Sequence, residues 1–191
     1  MSAGGDSEPS WVDEWIDPER KAFWRFPYST PSLVLLGSAT LLLFVIRDSI
    51  RSALWFIDGV NLFIHEAGHL IFGALGIALV GFLGGTLMQL AMPTAFFLYF
   101  LRRAHPKSAD VCLFWIAENL LNVGRYMADA RSEALPLLIE GSEHDWAYIF
   151  GEFGLLQADR VIGGVVDMAG CALLALSFYG IYIHARKGPG R

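Results

Sequence analysis

AGHLIFGALGIALVGFLGGTLMQLAMPTAFFLYFL, residues 67–101, runs for 35 positions without an Asp, Glu, Lys or Arg. A helix rises about 1.5 Å per residue, so a hydrocarbon core ~30 Å thick takes ~20 residues. The stretch is too long for one crossing and suits two. Gly73, Gly76, Gly81, Gly84 and Gly85 mark the break between them, because glycine is poor inside helices and favoured in turns. One helix is therefore expected at about 52–76 and the next at about 82–101, with Pro93 kinking the latter. A re-entrant loop in the glycine-rich stretch is the competing arrangement.

Working outward, residues 26–46 carry no charge and lie between Arg25 and Arg47, which gives a first span. Trp24, Phe26 and Tyr28 stand where an interfacial aromatic belt belongs. A fourth helix is expected at about 109–130, interrupted by Glu118, Asn119, Asn122, Arg125 and Asp129, and a fifth at about 161–184 with Asp167 near its start. Residues 131–160 are too polar to span and form an amphipathic linker. The acidic tail 1–25 holds Trp11, Trp15 and Ile16 at helical spacing, which suits an interfacial helix or a frayed end; residues 187–191 are a C-terminal tail. The fold class is thus an all-α polytopic membrane protein, a single transmembrane domain over 26–186 with about five helices.

Composition agrees. Of 191 residues, 54% are hydrophobic and 17% charged, against ~25% charged in soluble domains, and mean hydropathy is +0.46. A net charge of -5 leaves no electrostatic footprint for nucleic acid. Cys112 and Cys171 both lie in apolar stretches and form no disulfide scaffold. Five crossings place Arg47, Arg51, Arg102, Arg103, Lys107, Arg186, Lys187 and Arg191 on one side, and Arg20, Lys21, Arg25, Arg131 and Arg160 on the other. The positive-inside rule then puts the C-terminus in the cytoplasm. The lack of a secretory-type start and of disulfide-type cysteine usage fits a bacterial plasma membrane.

Inside the second helix the chain reads His65-Glu66-Ala67-Gly68-His69. Residues four apart share a helix face, so both imidazoles reach one metal ion while Glu66 addresses a water bound to it. From five histidines and nine glutamates in this length, chance supplies roughly 0.006 such patterns. Ionisable groups at membrane depth are expensive and by default functional, and a metal is the partner that compensates three of them. A hydrogen-bonded patch joining two helices is the plainer alternative.

HEAGH in a transmembrane helix, the pair Gly84-Gly85, and a later helix bearing Asn122 and Asp129 together resemble the site-2 protease family of intramembrane zinc metallopeptidases. The resemblance covers roughly residues 61–131 and is specific at the HExxH. It implies Zn2+ held by His65 and His69, Glu66 as catalytic base and acid, and a membrane-protein transmembrane segment as substrate. It also implies a third ligand from an Asp in an Asn-Pro-x-x-Asp-Gly-like motif. The nearest match here, Asn122-Val-Gly-Arg-Tyr-Met-Ala-Asp129, lacks that proline and glycine.

The residues themselves leave the third ligand open. Glu118, Asn122, Arg125 and Asp129 form one helical stripe that should face the bundle interior, with Arg125 able to pair with either carboxylate. An interhelical polar network explains the stripe as well. Asp129 is chosen for the metal because it adds the resemblance to a helix-end position, ahead of Glu118. In the linker, Ser142-Glu143-His144-Asp145 reads as a capping box opening a helix through Trp146, Ile149, Phe150 and Phe153. The helix dipole accounts for Asp145 without a metal, which leaves His144 as the linker's candidate ligand. His105 and His184 are read as solvated, and Asp167 as a partner for Arg125 or an interfacial residue.

The leading expectation is an intramembrane zinc endopeptidase. The alternative is a non-proteolytic metal-binding membrane protein, a regulator or assembly factor that keeps a protease-like site. A haem carrier ranks last, since histidines four apart on one helix cannot hold both faces of a haem.

Overall fold

The computed structural model describes residues 29–138 and 143–186. Within them the chain is all-helical, with no strand. Seven α-helices follow one another: α1 (Thr30–Val45), α2 (Arg47–Ala53), α3 (Trp55–Gly73), α4 (Ala78–Arg102), α5 (Pro106–Ala128), α6 (Asp145–Glu152) and α7 (Asp159–Arg186). A single 3-10 turn, Leu156–Ala158, precedes α7. The expected N-terminal interfacial helix, the aromatic belt, the start of the first span and Ser142 lie outside the described residues.

Local chemistry sets the ends. At Ser29 the hydroxyl accepts from the Ser32 N–H, and the Ser32 hydroxyl accepts from the Ser29 N–H at 2.8 Å, capping α1. Helix α1 ends near the expected boundary: after Ile46 the chain turns into α2 at 71° to α1. Between α3 and α4 the chain reverses through residues 74–77, where Gly76 sits at φ +70°, a conformation that strains any side-chain-bearing residue. The break therefore uses Gly73 and Gly76, whereas Gly81, Gly84 and Gly85 lie inside α4. Helix α4 stays continuous across Pro93.

Two described segments, α4 and Leu156–Arg186, are long and apolar enough to cross a membrane, and the bent pair α1–α2 makes a third if it counts as one span. Helices α3 and α5 fall outside that set because of their polar residues. Those of α3 point inward: Asn61 and His65 are buried, while Phe56, Phe63 and Leu70 on the outside are 69%, 75% and 79% exposed. Polar inside and apolar outside is the distribution lipid favours.

Antiparallel α5 and α7 form the main seam, closed by small residues: Gly124 lies against Gly163, and Gly170 against the Ala117 carbonyl. Its polar groups are paired. His184, expected at a solvated helix end, is buried and donates from Nδ1 to Asp110 Oδ2 at 2.6 Å. Asp167, expected to meet Arg125 or the interface, instead takes buried Arg51, and Arg47 at 3.1 Å. Arg51 also donates to the Leu121 carbonyl at 2.8 Å. These two arginines are thus structural ion-pair partners rather than loose flanking charges.

The amphipathic pattern of the linker produces α6. Trp146, Ile149 and Phe150 are buried against Val123 and Ala130, with Leu79, Phe82 and Leu83 beside them, and Tyr148 stacks on Phe82 at 4.0 Å between ring centres. Each buried side chain of this size contributes ~1.5–3 kcal/mol, so the start of α6 is pinned against α4 and α5.

Candidate metal centre

Helix α3 delivers the two histidines to a face cleared by glycine. A Cβ on Gly68 would run into the Gly84 carbonyl, and one on Gly85 would lie 2.5 Å from His65 Nε2 and 2.6 Å from His69 Nε2. Glycine at these positions lets α3 and α4 touch backbone to backbone and leaves room at the imidazole tips.

The outer ring nitrogens are spoken for. His69 Nδ1 lies 2.8 Å from the Gly81 carbonyl, which can only accept, so the ring proton is on Nδ1. His65 Nδ1 donates in the same sense to Gln89 Oε1 at 3.1 Å. In its neutral form each imidazole then presents a lone pair at Nε2. These two nitrogens face each other at 3.0 Å.

The third group comes from the first turn of α6. Asp145 Oδ2 lies 2.9 Å from His65 Nε2 and 3.2 Å from His69 Nε2. Burial pushes the Asp145 carboxyl up, but the two imidazoles outweigh it and hold the group below the usual carboxylate range. Two ring nitrogens and an anionic oxygen thus converge on one point, where a proton on an imidazole Nε2 or a bound cation settles the charge. His65, His69 and Asp145 can hold a metal ion. Their separations of 2.9–3.2 Å are just below the ~3.3 Å edge of a tetrahedron built on bonds of ~2.05 Å. Orientation of both rings through Nδ1–H to oxygen acceptors is the arrangement metal-ligating histidines adopt.

The remaining candidates are placed elsewhere. Asp129, chosen from sequence as the third ligand, spends its carboxylate on the turn after α5: it accepts from Ser132 Oγ at 2.6 Å, Ala134 N at 3.1 Å and Leu135 N at 2.9 Å. Burial opposes its ionisation, but these bonds hold its pKa below the ordinary value. His144 caps α6, its Nδ1 accepting from Ala147 N at 3.2 Å, while Nε2 points toward Asp129 at 3.6 Å. Burial holds His144 below its ordinary pKa. Glu118 is 2% exposed and accepts from the Asn61 and Asn122 amides, with Asn122 bridging on to Asp58. The polar stripe is thus an interhelical network at this level, and Arg125 pairs with neither Glu118 nor Asp129 among the described residues.

Glu66 is half-buried and has no hydrogen-bond partner among the described residues; it borders a cavity of about 870 Å3. His65, His69, Asp145, Arg125 and Tyr126 line the polar part of that cavity, and Leu62, Ile77, Phe82 and Leu138 the apolar part. Sequence reasoning had Asp145 in hand as a helix-capping acid, and passed over Tyr126 as a functional group. The signal for Asp145 lay in its neighbours, since a helix that buries Trp146 and Phe150 must bring its first residue to the bundle. No protein-family model, curated protein or solved structure matches this chain.

Proposed function

We propose that this protein is an intramembrane zinc endopeptidase that cleaves a transmembrane or juxtamembrane segment of another membrane protein. The observation that carries the reading is the meeting of His65 Nε2, His69 Nε2 and Asp145 Oδ2 beside the unpartnered Glu66 on a cavity. In this reading α1–α2, α3, α4, α5 and α7 make five crossings of a bacterial plasma membrane, with the C-terminus in the cytoplasm. The inverted polarity of α3 supports its crossing in lipid.

His65, His69 and Asp145 would hold the zinc, with Asp145 in the role that the sequence suggested for Asp129. Zinc lowers the pKa of bound water to about 7 and so supplies hydroxide at neutral pH. Glu66 removes the water proton as the oxygen adds to the scissile amide carbon. It returns that proton to the leaving nitrogen when the C–N bond breaks, so the products are a carboxylic acid and an amine. The apolar wall of the cavity takes the lipid-facing side chains of a substrate, and α6 covers the site from the polar side.

Glu66→Gln tests the reading. Processing of a co-expressed membrane-protein substrate should fall by about 10²–10⁴-fold, while purified protein keeps one zinc per chain. Unchanged processing with zinc bound would make the protein a metal-binding regulator instead.

A further inference from the structure

Tyr126 stands on the cavity wall next to the third ligand. Its hydroxyl oxygen accepts the Asp145 N–H at 3.2 Å. Its ring is held between two imidazoles, 4.1 Å from His144 and edge-on to His65 at 6.1 Å between ring centres. A hydroxyl carries one proton as well as two lone pairs. Among the described residues that proton has no acceptor, although the side chain is half-buried. The oxygen is fixed by the Asp145 amide and the ring by its contacts with the two imidazoles, so the O–H is left to turn into the cavity. A positioned donor at the edge of a reaction site is an arrangement that stabilises developing negative charge.

We propose that Tyr126 is a catalytic residue whose hydroxyl donates to the carbonyl oxygen of the scissile amide, and does so more strongly as charge develops there. The inference rests on the peptidase reading above. It adds a second role within one side chain: the oxygen steadies the Asp145 backbone while the proton meets the substrate. Addition of water to the carbonyl carbon moves an electron pair onto that oxygen; the Tyr126 proton is shared with it and stays on the phenol when the C–N bond breaks and the carbonyl re-forms. No net proton leaves Tyr126.

Acetohydroxamate, whose oxygens mimic the reacting carbonyl and the attacking water, is the probe. The full chain in detergent is loaded with cobalt(II), and hydroxamate binding is followed by the visible spectrum of the metal. Tyr126→Phe should keep one cobalt per chain and bind acetohydroxamate about tenfold or more weakly. On a cleaved substrate, kcat should drop by about 10²-fold with KM nearly unchanged. Equal hydroxamate affinity in wild type and Tyr126→Phe overturns the proposal and leaves the metal site standing. Loss of cobalt from Tyr126→Phe also overturns it, because the hydroxyl then serves only to hold Asp145. Wild type that takes up no cobalt overturns the peptidase reading itself, and this inference with it. Should Tyr126→Phe fail to fold, replacement of Tyr126 by fluorotyrosine, a stronger donor of nearly the same shape, should tighten hydroxamate binding; unchanged binding counts against the proposal.

Discussion

The α5–α7 seam and the α3–α4–α6 corner are built from the same materials, glycines that let helices close up and ionisable groups buried between them, yet they differ in how charge is settled. Along the seam each acid has a donor of matching sign: Asp110 has His184, and Asp167 has Arg51 and Arg47. At the corner, His65, His69 and Asp145 turn three acceptors toward one point. Their donors, the two Nδ1–H groups, point the other way, to Gln89 and Gly81. Burying an unpaired polar or charged group is costly, so paired groups read as structure. Convergent acceptors, by the same reasoning, read as a cation site. The lesson is one of sign and direction, since burial alone does not separate the two regions.

The largest expected effects come from removing one acid from each region. Asp167→Ala takes the buried carboxylate from Arg51, itself 6% exposed, and leaves it only the exposed Asp48; it should cost ~3–5 kcal/mol of stability, read as loss of resistance to denaturant in detergent, with zinc uptake unchanged in the fraction that folds. Asp145→Ala should behave in the opposite way. Metal-free protein should lose less stability, because Asp145 is held by two imidazoles and not by a buried guanidinium, and zinc binding should fall below detection at micromolar metal. If Asp145→Ala instead unfolds the metal-free protein and leaves zinc binding intact, the contrast between the regions is wrong.

Glycine gives the next test. A Cβ at Gly124 would meet backbone atoms of the facing helix, the Gly163 oxygen at 2.8 Å and the Asp167 nitrogen at 2.9 Å. Gly124→Ala must therefore push α5 and α7 apart, at a cost of ~1–3 kcal/mol. A Cβ at Gly85 meets the tips of the two imidazoles. Those rings can turn away, so Gly85→Ala should fold nearly as well as wild type and bind zinc at least tenfold more weakly. Isothermal titration with zinc and denaturant unfolding on both variants resolve the two outcomes. Equal losses of stability would mean that the space beside the imidazoles is packing and nothing more.

Much of this was legible in the sequence. The uncharged run at 67–101 and the glycines at 73 and 76 gave the α3–α4 reversal, because both depend on local chemistry. HEAGH gave the histidine pair for the same reason, as one helical turn fixes the spacing. Other features depend on which helix meets which. Arg51 reaches Asp167 across 116 positions of chain, and Asp145 reaches His65 across 80; no periodicity encodes either distance. Asp129 was preferred over Asp145 because a helix-end acid next to an asparagine stripe matched a pattern, while Asp145 had a sufficient local explanation as the acid at the start of α6. Both local explanations hold in their way: Asp145 does open a helix, and Asp129 does end one. What separates them is that Ser132, Ala134 and Leu135 donate to Asp129, while the Asp145 carboxylate faces the two imidazole Nε2 atoms.

The smallest expected effect turns on that distinction. In Asp129→Asn one carbonyl acceptor remains for three donors, and the turn after α5 should loosen by ~1.5–3 kcal/mol, the range for hydrogen bonds to a charged group. The pKa of Asp129 falls on folding, so its contribution is complete above the unfolded value near 4 and disappears as the pH drops through the folded value. Wild type and Asp129→Asn should therefore differ in stability at neutral pH and converge in acid. Zinc stoichiometry and affinity at neutral pH should match wild type within about twofold, because nothing between Asp129 and the imidazoles needs to move when the turn relaxes. Loss of zinc in Asp129→Asn, with Asp145→Ala still binding, would return the third ligand to the end of α5 and make the carboxylate of α6 a cap alone.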